Sequence, residues 1–197
     1  MTNFQETNNQ IKSEVMLRLM ESVEHSPKVS QRKRASELGV AMGLVNSYLK
    51  RAITKGWIRA KEVPAHRYAY YLTPQGLAEK GQLATEYLTS SFTFFRSARG
   101  QCLDLFAECE QKGWSKIALV GNGELAEIAE LVAMQSSLDV GRVAPKILSD
   151  KGFDAVMLVD IQNPQEIYET LCGTWTKERI LTPALLYVSR DRQQQEK

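Results

Sequence analysis

Two helix signals joined by a single glycine constrain the fold of this chain more than any other feature of its sequence. Ser30 is a typical N-cap residue, and the segment 31–38 after it has the length and composition of a short helix. Gly39 supplies a tight turn, and a second helix is predicted from near Met42 to about Lys55, where Gly56 fits a left-handed C-cap. Two helices in this arrangement fix the second one across the first and leave one of its faces at the surface.

Apolar residues at helical spacing surround this pair. They predict an amphipathic helix that ends near Pro27 and an inward stripe on the helix after Gly39. The first set is Ile11, Val15, Met16, Leu19, Met20 and Val23, and the second is Val45, Tyr48, Leu49, Ala52 and Ile53.

The opposite face of the helix after Gly39 has the side chains expected of a DNA-reading surface. Small and amide-bearing residues near its start can approach base edges, and Asn46 can both donate to and accept from adenine, although it could instead cap a backbone group. Lys50 and Arg51 lie a turn later, where they suit phosphates. The candidate DNA-binding residues are Ser30, Gln31, Arg32, Met42, Gly43, Asn46, Ser47, Lys50, Arg51, His66 and Arg67.

A hairpin is predicted after this helix. Its first strand ends at Val63, the turn covers residues 64–67, and the second strand covers residues 68–72. The tip carries His66 and Arg67, which suit the minor groove or flanking phosphates. The run Thr73-Pro74-Gln75-Gly76 then caps the next helix, with proline at its first position.

The charge of the chain is uneven. Residues 1–96 carry fourteen Lys and Arg against eight Asp and Glu, whereas residues 97–197 carry eleven against fifteen. Residues 28–61 contain nine basic residues and only one acidic residue, Glu37. Such a density of positive charge either forms a solvated face or binds an anionic partner, and its position on a DNA-reading motif favours nucleic acid.

Together these motifs resemble MarR-type winged helix-turn-helix regulators, with the greatest likeness to a group associated with bacterial exopolysaccharide genes. The resemblance covers roughly residues 10–90 and depends on Leu38-Gly39-Val40, Lys55-Gly56-Trp57-Ile58 and Leu72-Thr73-Pro74-Gln75-Gly76. It implies a homodimer that reads an inverted repeat in double-stranded DNA with paired recognition helices, and it suggests control of polysaccharide genes.

A long helix is predicted from Leu77 to about Lys112, a stretch without proline, with a bend or break at Gly100. Its apolar residues recur every three or four positions, which is typical of a seam for another helix. The seam either spaces two DNA-binding domains in a dimer or packs on the second domain of the same chain. Its cysteines suit core packing better than a thiol switch, since no basic residue adjoins both. The seam is Leu88, Phe92, Phe95, Ala98, Cys102, Leu105 and Cys109.

The C-terminal third alternates short apolar strands with helices, which predicts a small three-layer α/β domain. Strands are expected at residues 116–120, 138–143, 155–159 and 184–188. One helix is expected after the turn at residues 121–126 and ends near Met134, and another runs from Pro164 to about Cys172. The first strand runs into a glycine turn and then a helix, as in the opening unit of a Rossmann-like fold.

That glycine turn is the candidate cofactor site. Gly121, Asn122, Gly123 and Glu124 could admit the phosphate of a nucleotide or sugar nucleotide at a helix N-terminus. Glu124 repels phosphate, and Val140 to Val143 offer no acid for a ribose. A tight turn without any ligand therefore stays equally open.

The fold class predicted is an α+β winged helix-turn-helix domain over residues 1–84, a linker or dimerisation helix over 85–113, and a Rossmann-like α/β domain over 114–197. No catalytic or metal-binding set can be assembled, and no export or membrane segment is evident, so the expectation is a cytoplasmic, non-enzymatic regulator of transcription. One alternative is a redox repressor similar to Rex that responds to NAD(H). The other is a protein-interaction scaffold whose winged helix does not bind DNA.

Overall fold

The computed structural model describes residues 2–64, 68–144 and 152–190, with side chains from residue 11 onward. It divides into two compact units, Met1–Ser91 and Phe92–Lys197. Each unit has its own hydrophobic core. Within the described part of the chain, no helix is long and apolar enough to cross a bilayer.

The first unit begins with three helices: α1 (Thr2–His25), α2 (Gln31–Leu38) and α3 (Met42–Thr54). The capping predictions are confirmed. The Ser30 hydroxyl accepts a hydrogen bond from the Lys33 amide, and Gly39 and Gly56 both have positive φ values, of 67° and 73°.

The core of this unit forms between these helices, and Ile58, Tyr70 and Leu83 from later in the chain complete it. The predicted apolar residues Leu19, Val45 and Leu49 are buried in it. Ile53 was predicted to join them, but 39 % of its surface is exposed. The prediction was wrong because Ile53 lies about 100° around the helix from the centre of the buried face, which is defined by Val45 and Ala52.

A two-stranded antiparallel hairpin follows, formed by β1 (Ile58–Lys61) and β2 (Ala69–Leu72). Ile58 pairs with Leu72, and the Tyr70 amide donates to the Pro27 carbonyl. The hairpin is therefore attached to the loop after α1 as well as to the end of α3.

The next helix, α4 (Pro74–Gln111), is 38 residues long and continues through Gly100, where a bend or break was expected. Its first turn lies against the backbone of Trp57. The Thr73 hydroxyl donates to the Gly56 carbonyl at 2.6 Å and accepts from the Gly76 amide at 3.0 Å. A Cβ atom on Gly76 would lie 2.0 Å from the Trp57 carbonyl oxygen, so only glycine allows this approach.

The seam predicted along this helix is divided. Ala98, Cys102 and Cys109 are buried in the core of the second unit. Leu88 and Phe92 are 52 % and 59 % exposed. Both interpretations of the seam treated these residues as a single surface. The C-terminal part is buried within the chain, whereas the N-terminal part is exposed among the described residues.

The second unit contains a parallel sheet of four strands: β3 (Lys116–Val120), β4 (Asp139–Arg142), β5 (Ala155–Leu158) and β6 (Ile180–Leu181). The order in the sheet is β4-β3-β5-β6. Helix α5 (Glu124–Ala133) connects β3 to β4, and helix α6 (Pro164–Cys172) connects β5 to β6. In the strand order of the sheet, these two connections run in opposite directions. Right-handed crossovers then place α5 and α6 on opposite faces, which is compatible with a Rossmann-like arrangement.

The strand predicted at residues 184–188 is wrong. Ala184–Leu186 form a 3-10 turn, and the fourth strand is instead Ile180–Leu181, which pairs with β5. Pro183 lacks an amide proton and separates the two segments. The Leu185 amide donates to the Gln101 side chain, so it is not available to a sheet. A short apolar run does not distinguish a strand from another buried segment.

Candidate nucleic-acid interface and the glycine loop

The exposed face of α3 covers a smaller part of the helix surface than the set of candidate residues predicted from the sequence. At about 3.6 residues per turn, Gly43, Ser47, Lys50 and Thr54 fall along its centre, and all four are exposed. We call these four residues the α3 face. Asn46 lies half-buried at one edge, on the side where Met42 is 57 % exposed.

The polar side chains here are not used within the first unit. In the described part of the chain, no hydrogen bond or ion pair involves the side chains of Asn46, Ser47 or Lys50. No acidic residue lies on α3. The face is therefore polar, free of negative charge and accessible to a partner.

Arg51 lies at the other edge of this face and not beside Lys50. It lines a cleft of about 340 Å³ together with residues from α1 and α4. The sequence placed Lys50 and Arg51 together because they are adjacent, but adjacent helical residues are separated by about 100° around the axis. The structure thus separates the two cations predicted to bind phosphate.

The three candidate residues at the start of α2 have different roles. Ser30 caps the helix, and the Gln31 amide donates to the Tyr70 hydroxyl at 2.8 Å, which joins α2 to the hairpin. Arg32 is exposed. Of these three, Arg32 is the side chain with no intramolecular role among the described residues.

His66 and Arg67, predicted at the tip of the hairpin, lie outside the described residues. The strands that precede and follow them are present as β1 and β2. On β1, Arg59 and Lys61 are exposed and add positive charge to the same unit.

Sequence reasoning misplaced Arg34, which it counted in the basic surface. Arg34 is fully buried, and its guanidinium donates to the Ser22 hydroxyl at 2.7 Å and to the Ser26 carbonyl. Burial lowers the pKa of Arg34 below its usual value. The negative end of the α1 dipole lies at these acceptors, so the arginine stabilises the junction of α1 and α2. Its position four residues before the buried Leu38, on the same side of α2, was the signal available in the sequence.

The glycine loop, Gly121–Glu124, connects β3 to α5 in the second unit. Gly121 has a φ of 131°, and a Cβ atom there would lie 2.4 Å from the Asp160 amide nitrogen. This glycine therefore allows the ends of β3 and β5 to approach each other, which is a packing role. Asn122, Gly123 and Glu124 are exposed.

The polar residues around the glycine loop are bonded to the chain itself. The Asp160 carboxylate accepts hydrogen bonds of 2.9 Å from the Gln162 and Asn163 amides. Arg142, at the end of the neighbouring strand β4, donates two hydrogen bonds, of 2.6 and 2.7 Å, to Glu130. That ion pair lowers the pKa of Glu130.

The first turn of α5 is also unfavourable for an anion. It carries Glu124 and Glu127. Their negative charges repel a phosphate and offset the attraction that the positive end of the helix dipole would exert on it. The geometry thus favours the interpretation of this turn as a structural connection.

The cysteines of α4 are core residues. Cys102 and Cys109 are fully buried, and desolvation raises the pKa of each thiol to about 11. Thiols with so high a pKa form little thiolate at neutral pH and react slowly. Among the described residues, no group of three His, Cys, Asp or Glu could hold a metal ion.

Comparison with known proteins assigns no family. No protein-family model matches the chain, and no curated protein shows significant similarity to it. The geometry and charge of the α3 face are the strongest indications of function in this molecule.

Proposed function

We propose that this protein is a dimeric, sequence-specific DNA-binding regulator of transcription. In this proposal the first unit is a winged helix, α3 is the recognition helix and the β1–β2 hairpin is the wing. The observation that carries the proposal is the α3 face, which is exposed, free of acids and not bonded within the described chain.

The dimensions of α3 suit the major groove. An α-helix with its side chains is about 10–12 Å across, and the major groove of B-DNA is about 12 Å wide. Gly43 and Ser47 add little bulk at the centre of the face, so the helix backbone can approach the base edges. Lys50 lies one turn further along, where it can bind a phosphate or the acceptor edge of guanine.

The charge around α3 supports the same partner. When the buried Arg34 is left out, residues 28–61 still contain eight basic residues and one acidic residue, Glu37. Glu37 itself lies 3.9 Å from the Lys33 ammonium, which reduces its effect on the surface. Neutralised phosphates release counterions, so DNA affinity should fall steeply as salt rises.

The test is a DNA-binding titration of Lys50→Ala over a range of salt concentrations. We expect weaker binding and a slope of log affinity against log salt that is smaller by about 0.9, which corresponds to one phosphate contact. Asn46→Ala should change the preferred sequence in a selection from random DNA. Lys116→Ala, an exposed lysine of the second unit, is the matched control and should bind as the wild type does. Equal affinity of all these variants would reject the proposal.

The dimer is proposed to form through α4. Leu88, Phe92 and Phe95 are 52 %, 59 % and 42 % exposed and lie on one side of this helix. With about 150–250 Å² for each fully exposed aromatic side chain and somewhat less for leucine, they present roughly 300 Å². A stable interface buries about 800 Å² per partner, so this apolar strip is large enough to form its centre. A two-fold axis across α4 would pair the strip with its own copy.

Phe92→Asp tests the dimer. A charge at the centre of an apolar helix pair should give a monomer in sedimentation equilibrium, because it would be buried without a partner. The control is Ile161→Asp, which changes an exposed apolar residue in the loop after β5. A wild-type chain that sediments as a monomer would reject this part of the proposal while leaving the DNA-binding test intact.

A further inference from the structure

A cleft of about 340 Å³ lies in the first unit, at the small end of the range of about 300–1,000 Å³ typical of ligand sites. Three helices supply most of its walls, and Trp57 in the turn after α3 completes them. Apart from the adjacent Lys12 and Ser13, the lining residues on each helix recur three or four positions apart, so each helix turns one face toward the cleft. The charged and aromatic residues that line it are Lys12, Tyr48, Arg51, Trp57, Glu79 and Glu86.

Charges of both signs share this cleft without pairing. Lys12 and Arg51 come from α1 and α3, and both carboxylates, Glu79 and Glu86, come from α4. Among the described side chains, the ion pairs found lie elsewhere and none joins these cations to these carboxylates. The Glu86 carboxylate accepts a hydrogen bond from the Gln82 amide, at 3.1 Å.

The rest of the lining is apolar or aromatic. Met16 and Leu83 are buried in the core of the unit and also reach the cleft. Tyr48 is 9 % exposed, and its ring and that of Trp57 offer flat surfaces. A ligand that fits must therefore combine an anionic group, a cationic group and an apolar body.

We propose that this cleft binds a small zwitterion with an apolar side chain, in the chemical class of the hydrophobic α-amino acids. The carboxylate of the ligand lies toward Arg51 and Lys12, and its ammonium lies toward Glu79 and Glu86. Each charge of the ligand then meets a group of opposite sign that has no such partner among the described residues.

Binding in this cleft acts on α3. Tyr48 and Arg51 belong to α3, so a ligand held by Arg51 and by α4 would restrain the helix that carries the α3 face. This regulatory role rests on the proposed DNA-binding function. The binding of the zwitterion itself does not.

The experiment is titration calorimetry of the full chain, without DNA, using L-phenylalanine as the probe. The comparison compounds are L-phenylalaninamide, which lacks the carboxylate, and 3-phenylpropanoate, which lacks the ammonium. We expect each analogue to bind at least about tenfold more weakly than phenylalanine, because one charge pair is lost. Equal binding of the three compounds, or no binding of phenylalanine at millimolar concentration, would overturn the proposal.

Glu79→Gln locates the site. The amide keeps the size of the side chain and removes its charge, so phenylalanine affinity should fall about tenfold, while 3-phenylpropanoate should be affected much less. Glu21→Gln, an exposed acid of α1 that does not line the cleft, is the control and should bind phenylalanine as the wild type does. Unchanged phenylalanine affinity in Glu79→Gln would overturn the assignment to this cleft.

A second measurement separates this inference from the proposed function. DNA affinity of the wild type should change when phenylalanine is added, and the change should be smaller in Glu79→Gln at the same concentration. Phenylalanine binding with unchanged DNA affinity would overturn the regulatory role alone. A chain that binds phenylalanine but no DNA would overturn the proposed function and leave the ligand site standing.

Discussion

The α3 face and the glycine loop are two surfaces that the sequence marked as binding sites, and they differ in how far the chain uses them itself. On α3, the side chains of Ser47 and Lys50 have no bonds to the described part of the chain. Around the glycine loop, Gly121 is in contact with the backbone at Asp160, and Arg142 is paired with Glu130. A motif indicates a ligand only when its groups are still available after folding.

The same comparison applies to glycine. Gly121 and Gly76 each belong to a run that the sequence interpreted by its likeness to known motifs. In both cases the structure shows a backbone contact that a side chain would prevent. Each unit therefore uses a glycine to bring two backbone segments into contact. The units differ in whether the polar side chains of the candidate site are bonded within the chain.

The largest effect is expected for Gly121→Ala, which tests whether the glycine loop is a structural connection. The new Cβ atom would lie 2.4 Å from the Asp160 nitrogen, at a φ of 131° that L residues rarely adopt. Overpacking and backbone strain together should cost about 4 kcal/mol or more of unfolding free energy, measured by urea denaturation. Gly141→Ala, which meets no atom within 4 Å, is the control. A variant with native stability would restore the ligand interpretation of the loop.

Gly76→Ala is the corresponding change in the first unit, and its effect should be somewhat smaller. The clash with the Trp57 carbonyl destabilises the fold, but alanine favours helix by about 1 kcal/mol over glycine. We expect a net loss of about 2–3 kcal/mol in the same measurement. Gly81→Ala, on the same helix with open space around it, should be neutral or stabilising. Destabilisation by both substitutions would show that the contact with Trp57 is not the cause.

A smaller, pH-dependent effect is expected at Asp154, which the second unit uses for its own stability. Its carboxylate accepts hydrogen bonds from the Ser115 and Lys116 amides at 2.7 and 2.9 Å, which lowers the pKa of Asp154. A lowered folded pKa stabilises the protein above the unfolded value of about 4, and this stabilisation is lost as the pH falls through the folded pKa.

Asp154→Asn should therefore cost about 1 kcal/mol at neutral pH, and the difference from the wild type should diminish in acid. Urea denaturation at several pH values measures it, with Asp139→Asn, an exposed residue of β4, as the control. A difference that does not depend on pH would contradict the charge-based explanation.

Much of the local structure could be predicted because its causes are local. The bounds of α2 and α3 follow from the N-cap at Ser30 and from glycines that tolerate positive φ, and these act within a few residues. Strands β3 and β5 were found because strands buried on both faces are apolar along almost their whole length. The fourth strand was missed because a two-residue strand at the sheet edge carries no pattern of its own.

The candidate sites could be predicted less well than the helices that carry them. The sequence named three of the four residues of the α3 face and missed Thr54. It also could not separate Arg51 from Lys50 in function, nor recognise that Arg34 is internal. These outcomes depend on which neighbours arrive from α1, α4 and the hairpin. The cleft was not predicted at all, since its charged residues are up to 74 positions apart, from Lys12 to Glu86.

The sequence by itself determined the order of helices and strands up to α6, the positive first half and the long helix without proline. These properties follow from capping, periodicity and composition, which a chain has before it folds. Only the tertiary structure decided which cations are exposed, which glycines are in contact with backbone and which part of α4 is covered. The reason is that burial and pairing are relations between distant segments, and they exist only once those segments have packed together.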